Sequence, residues 1–363
     1  MATTTVNVGL SLLLAYGGFL CTGAVPAAAA DFAERKQAAE VSAKQGFQRQ
    51  ELRLLKRAPG PGRDQVLRAL MSRFEGGTEG IKMEGRFTTD LHKEHLSVIG
   101  TEWFLQVYGN GEKVRYRNHG QLDGPNNKPL PVDQRLSEEK LKELGIDFIN
   151  NEVSGFVKLG SGENLVPYFT EFQIGGGGST KEGARRDPEY VFASTVVFTR
   201  TINGVPIIGP GSKIAVMFAN DGTPVGFDYD WPVYEAFGKT QRVLPVSEIR
   251  GRAMKTAAFD LESADTVVKR FECGYYDLGS RRHDPGAPVQ AGCIVHASQR
   301  RIVDKVAYEK DKDSGHILDA RVTVIPAGVQ VERHDQWPEA AKILGLPVER
   351  RSGYAVPGAG PQQ

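Results

Sequence analysis

The spacing of hydrophobic residues changes along this chain in a readable order. Val66, Leu67, Leu70 and Phe74 recur at helical spacing behind Asp64, which can cap the helix they predict. The period then falls to two. Trp103 to Tyr108 and Lys113 to Arg117 flank Gly109-Asn110-Gly111, and Val114 and Tyr116 alternate with charged residues, which predicts a β-hairpin. A strand around Lys82 to Thr89 precedes it. Upstream, Asp31 to Lys56 is charged and weakly periodic and reads as a surface helix, ended by Pro59-Gly60-Pro61-Gly62.

The same order recurs downstream. Gln121 to Gln134, rich in Pro, Asn and Gly, reads as a linker. Ser137 caps a helix to Phe148 that carries Leu141, Leu144 and Phe148 on one face, and strands follow at Leu165 to Ile174, Tyr190 to Thr201, Lys213 to Ala219 and Val225 to Trp231. Ser247 then caps a helix to Phe259, followed by strands at Thr266 to Tyr276, Gln290 to Ser298 and Ile317 to Ile325. The expected fold is α+β, built from repeated units of one helix packed on an antiparallel meander. The units run over 31–120, 135–235 and 245–330, with a C-terminal tail over 331–363.

The N-terminal segment and the composition predict a protein that works outside the cytoplasm. A polar start, an apolar stretch from Val8 to Leu20 and the small residues Ala24 to Ala30 follow the order of a secretory signal over 1–30, cut before Asp31. The apolar stretch is short of the roughly 20 residues a spanning helix needs and is broken by Gly17 and Gly18. Gly18-Phe19-Leu20-Cys21 also lacks the small residue that lipoprotein signals place before the cysteine. No membrane span is therefore expected after signal removal, and the protein is expected to be secreted or periplasmic. Its 45 Lys and Arg nearly cancel its 44 Asp and Glu, so no nucleic-acid partner is expected either. Cys273 and Cys293 remain in the mature chain as an even pair, which in an exported protein reads as a disulfide; two unpaired thiols are the alternative if the signal is never used.

Tyr190 to Trp231 carries an R-x-x-x-G-V-P-[IV] hairpin at Arg200 to Ile207, then a strand, an Asp221-Gly222 turn and another strand. In this it resembles modules of the PepSY and fungalysin–thermolysin propeptide type. That resemblance implies a cystatin-like sheet packed on a helix, and a role in inhibiting, chaperoning or docking onto another protein outside the cytoplasm, such as a protease.

Catalytic signatures are sparse. No G-x-S-x-G elbow, phosphate loop, dinucleotide fingerprint or H-E-x-x-H motif is found, and neither a cofactor nor a metal is expected. His92 and His95 could share one face of a helix, but their flanks read as strand ends, and surface histidines are the simpler reading. Asp228, Asp230 and Glu235 could offer paired carboxylates near Trp231, although surface acids are the plainer account. The segment between the cysteines holds the candidate ligand-binding residues. Arg281 and Arg282 can grip a carboxylate or phosphate, His283 beside Asp284 can move a proton, and His296 lies just past Cys293. Two functions follow from these readings: a non-catalytic binding or inhibitory protein acting on another protein, or an enzyme or anionic-ligand binder using the 274–292 loop.

Overall fold

The predicted helices form where their apolar stripes meet a sheet. The computed structural model describes residue 47 and residues 50–330 apart from 75–80, 82, 84, 92–94, 177–187, 258–259, 264, 281–285 and 311–315. In chain order the elements are β1 (Glu51–Arg57), α1 (Arg63–Phe74), β2 (Phe87–Leu91), β3 (His95–Gly100), β4 (Trp103–Tyr108), β5 (Lys113–Asn118), α2 (His119–Leu122) and β6 (Leu130–Pro131). Then come α3 (Glu138–Phe148), β7 (Glu163–Gly175), β8 (Tyr190–Ile202), β9 (Val205–Ile208), β10 (Lys213–Phe218), β11 (Pro224–Asp230) and β12 (Tyr234–Arg242). The last are α4 (Val246–Thr256), β13 (Thr266–Tyr276), β14 (Gln290–Ile302), α5 (Lys305–Lys310) and β15 (His316–Pro326). The fold is α+β and dominated by strands. Among the described residues no helix is long and apolar enough to cross a membrane.

Thirteen strands join in one sheet, in the order β15-β14-β13-β9-β8-β10-β11-β5-β4-β3-β2, with β6 and β7 also paired to β8. The pairs are antiparallel except β9–β13, where Ile207 and Ile208 run parallel to Tyr275 and Tyr276. The expected units of helix and meander are therefore not separate sheets: β8 and β9 weld their strands into a single surface. β1 and β12 form a separate ribbon, tied to the sheet by bridges at Leu55–Val289 and Val243–Gly328.

Strand alternation assigns the two faces of the sheet. Val196 and Phe198 of β8 lie in the core that also holds Leu70 and Phe74 of α1 and Leu141 and Phe148 of α3. Ile202, on the same side of β8, lies in the core that holds Ile249 and Ala253 of α4 together with Cys273, Cys293 and Ile325. All three longer helices thus cover one face, and the opposite face is left without them.

Several local expectations are corrected. Leu52 to Lys56 is strand, not helix, because it pairs with β12 from Glu51–Arg242 to Arg57–Tyr234 and buries Leu52 and Leu54; the rest of that predicted helix lies outside the described residues. Gln121 to Gln134 is not a free linker. Asn127 donates from Nδ2 to the Phe192 carbonyl, its Oδ1 accepts from the Asn220 N–H, and Leu122 packs on Met217 and Val225. Ser137 does cap α3, its Oγ accepting from the Lys140 N–H at 3.1 Å, but α4 begins after Pro245 with no side-chain cap, so Ser247 is not the capping residue. β9 and β12 were not anticipated. The signal for β9 is present as Asn203-Gly204, both at positive φ, a two-residue turn that directly joins Ile202 to Val205.

Cys273 and Cys293 are directly opposite across β13 and β14 and are joined by a disulfide, which is consistent with an oxidising, extracytoplasmic compartment. With 20 residues of sequence separation, the chain-entropy model assigns the bridge about 3 kcal/mol. Replacing both cysteines by Ala should lower unfolding free energy by about that amount in denaturant titration, with the native strand content kept in circular dichroism. An unchanged midpoint would show that the bridge adds no stability.

Candidate functional site

Where the β1–β12 ribbon meets the sheet, one guanidinium gathers acids from separate parts of the chain. Arg57, at the end of β1, donates from Nη1 to Glu112 Oε2 at 2.8 Å, from Nη2 to Asp230 Oδ1 at 3.0 Å and from Nη2 to Asp277 Oδ1 at 2.9 Å. Glu112 comes from the β4–β5 turn, Asp230 from the end of β11 and Asp277 from just past β13. The Tyr234 hydroxyl of β12 donates to Asp277 Oδ2. Asp230 Oδ2 also accepts from the backbone N–H and the hydroxyl of Ser280. These groups are buried, and burial is the main force raising the Glu112 carboxyl and the Tyr234 hydroxyl above their usual pKa ranges.

A second buried arginine lies alongside. Arg200 pairs with Glu163 at 2.8 Å, donates to Ser212 Oγ and the Pro232 carbonyl, and sits over the rings of Trp231 at 4.4 Å and Tyr234 at 4.5 Å. Arg200 opens the hairpin motif that carries the family resemblance. Its charge serves the interior of the sheet.

Beyond the arginines the polar groups reach the helix-free face. Lys213 donates from Nζ to Thr199 Oγ1 and the Ile207 carbonyl, each at 3.0 Å, and to the Gly211 carbonyl at 3.1 Å. Burial, assisted by the nearby Arg270 charge and opposed by Glu272 and Asp277, lowers its pKa to about 7. Tyr168 donates to Glu272 Oε1 at 2.7 Å while the Arg270 guanidinium, itself paired with Glu272 at 2.8 Å, lies 3.8 Å from its ring centre. His296 is directly opposite Arg270 in the β13–β14 register, and burial first, then that arginine, lowers its pKa to about 4. The imidazole is therefore neutral near pH 7.

The structure brings only part of the expected site together. His296 joins Arg270, Glu272, Tyr168 and Lys213, residues from four strands that no local motif connects. Arg281, Arg282 and His283 lie outside the described residues, as does His92. Asp228 and Asp230 do share a face of β11, but each is taken by arginine, Asp228 by Arg115 and Arg117 and Asp230 by Arg57, while Glu235 is exposed beside Lys56. Asp228 and Asp230 are thus buried in ion pairs and do not lie as surface acids, and of the three only Glu235 is exposed. Among the described residues no three His, Cys, Asp or Glu side chains converge as a metal site requires. Sequence reasoning missed Arg57, Lys213, Tyr168, Arg270 and Glu272. A charged residue at a strand end or inside an alternating pattern carries no local mark of the partner it will meet.

Two outcomes follow. Arg57→Met should cost about 3–5 kcal/mol in a denaturant titration, since it strands buried carboxylates, whereas a loss under about 1 kcal/mol would mean that water already neutralises them. His296 has a folded pKa of about 4, below its unfolded value, so the unfolded chain takes up the proton first as pH falls. Its contribution to stability is present above the unfolded pKa of about 6.5 and is lost on acidification toward 4. His296→Gln should remove that component from the difference in unfolding free energy between pH 7 and pH 4.5, and identical pH dependence in both proteins would overturn the assignment.

No protein-family model matches the chain, and no curated protein sequence does. Among solved structures, the crystal structure of an uncharacterized protein from Eubacterium rectale ATCC 33656 at 1.45 Å resolution aligns with a TM-score of 0.44 and 11% identity, covering 78% of this chain and 87% of that one.

Proposed function

We propose that the protein is a non-catalytic binding protein that works outside the cytoplasm, holding an extended segment of another protein along the edge of its sheet. The observation that carries this reading is the outer half of the β14–α5–β15 hairpin. Ile302, Val303, Val306, Ile317, Leu318 and Val322 are all exposed there, where the sheet has run past its helices. β15 is the last strand of the sheet, and among the described residues no strand pairs with its outer edge. Alternation sends Leu318 and Val322 to one face and Ile317 to the other, so an added strand would find apolar side chains on both sides of its own pleat.

Terminal strands are usually blunted by charge, twist or cover, and an edge that exposes apolar residues is a template for strand addition. The disulfide supports the location, and the internal pairing of the buried acids with Arg57, Arg115 and Arg117 supports a binding role over hydrolysis. A secreted or periplasmic protease is the partner class that the propeptide-type resemblance favours. Such an enzyme would present an extended strand, as proteases do toward their substrates and inhibitors.

A photo-crosslinking residue at Val322 tests the proposal in the extracytoplasmic fraction of the native host, with exposed Val233 as the control position. One partner, identified by mass spectrometry, should attach at 322 and not at 233. Its capture should fall at least tenfold with Leu318→Asp. The same set of proteins at both positions, capture indifferent to Leu318→Asp, or attachment only to a second copy of this chain would overturn it.

A further inference from the structure

The last strand of the sheet has a residue order that is complementary to itself. β15 joins β14 without a register shift from Gly292–Pro326 to Ile302–His316, and just beyond it the Ala327 N–H donates to the carbonyl of Ala291, the residue opposite. Bonded and unbonded pairs alternate in an antiparallel ladder, so the odd residues of β15 turn their N–H and C=O toward β14. His316, Leu318, Ala320, Val322 and Val324 turn theirs outward, to an edge that no strand among the described residues occupies.

The side chains divide between the two faces by the same parity. Ile325 lies in the helix-side core with Cys273 and Cys293, so Ile317, Asp319, Arg321 and Thr323 stand on that side. Val324 packs on Ile208, Tyr276 and Ile294 on the other side, where Leu318, Ala320 and Val322 form an exposed apolar row. Asp319 accepts at Oδ2 from Arg301 Nε at 3.3 Å, in an exposed pair that leaves Oδ1 open to a second guanidinium.

A second copy laid antiparallel along this edge keeps its hydrogen bonds only in registers centred on a residue, since a centre between two residues sets outward groups against inward ones. Centring on Asp319 opposes two aspartates and centring on Arg321 opposes two arginines, and like charges directly opposite destabilise a strand pair. Centring on Leu318 or Val322 sets Asp319 against Ile317 or Ile325 and forms no charge pair. Centring on Ala320 sets Asp319 opposite Arg321 twice on one face and Leu318 opposite Val322 twice on the other, about an Ala320–Ala320 pair. Charge thus selects one register, and the apolar row closes in the same one. A single ladder of this kind is small beside the roughly 800 Å² that each partner of a stable complex buries, so it opens readily.

We propose that two copies of the free protein pair antiparallel along β15 about Ala320, and that this pairing covers the edge until a partner's extended segment displaces it. The displacement rests on the reading of β15 as the binding edge, whereas the pairing does not.

Sedimentation equilibrium of the purified protein tests the pairing with no partner present, so its failure is separable from a failure of partner capture at Val322. The protein should dimerise reversibly, and Arg321→Asp and Asp319→Arg should each weaken the dimer at least tenfold. An equimolar mixture of the two variants should regain the original affinity, because each copy then meets the opposite charge at both pairs. Ala320→Cys should form an intermolecular disulfide on mild oxidation, whereas Val322→Cys, whose two copies would stand roughly 14 Å apart along the ladder, should not. A monomer at every concentration, a mixture no tighter than its components, or disulfides as abundant at 322 as at 320 would overturn the pairing. In the extracytoplasmic fraction, the oxidised Ala320→Cys dimer should lose partner capture at 322 at least tenfold and regain it on reduction. Capture undiminished by the locked dimer would overturn the displacement, and no capture in either form would overturn it together with the edge reading.

Discussion

The Arg57 guanidinium is the point on which the architecture turns. It is the one described cation in contact with Glu112, Asp230 and Asp277, and those acids belong to the β4–β5 turn, the end of β11 and the end of β13. The β1–β12 ribbon also meets the sheet through two isolated bridges, through the Tyr275 hydroxyl on the Arg53 carbonyl and Gln241 on Gln290 and Ala291, and through Leu52 and Leu55 in the core they share with Cys273 and Cys293; the ionic junction adds a charged contact to this apolar docking. Buried ion pairs add little stability compared with an apolar filling of the same shape, but they are unforgiving of misplacement, because a displaced partner leaves a bare charge in the interior. The junction therefore selects one docking of ribbon on sheet and penalises the others.

The rest of the layout follows from how β8 is shared. It is paired along its whole length with β7 on one side and with β6, β10 and β9 in succession on the other. Because β9 then runs parallel to β13, the strands that follow α4 extend the sheet that the strands around α3 began. All three longer helices fall on one side, and the opposite face is left without them, covered in part by the Gln121–Gln134 segment, whose Leu122 packs on the cluster that holds Met217. That face holds the half-buried polar groups, from Arg115 and Asp228 to Lys213, Tyr168, Arg270 and His296. Its far margin, where β14 and β15 outrun the helix layer, exposes apolar residues on both faces of the hairpin. Half-buried polar groups and exposed apolar residues are thus concentrated where the helices are not.

The polar groups differ in what they can do. Around Arg57 and Arg200 each charge faces an opposite charge, and the groups are closed to solvent. Lys213 and His296 are different, since burial and Arg270 push both toward their neutral forms and both remain partly open to the helix-free face.

What the sequence by itself determined was local. The 3.6-residue stripes of α1 and α3, the alternation around Val114 and Tyr116, and the strands flanking Asn220-Asp221-Gly222 are legible because each is fixed by contacts a few residues apart. The pairing of Cys273 with Cys293 was legible because the expected removal of the segment that holds Cys21 leaves two cysteines, which have one way to pair. The tertiary structure alone decided that Leu52 to Lys56 is a strand, since the segment has a weak helical period and gains its ladder only from β12, nearly two hundred residues away. It alone decided that the units merge into one sheet, because parallel pairing of Ile207 with Tyr275 leaves no trace in either segment. And it alone decided the site: Arg57, Glu112, Asp230 and Asp277 look like ordinary surface charges one by one, and become a buried junction only when four distant strand ends are brought to the same few ångströms.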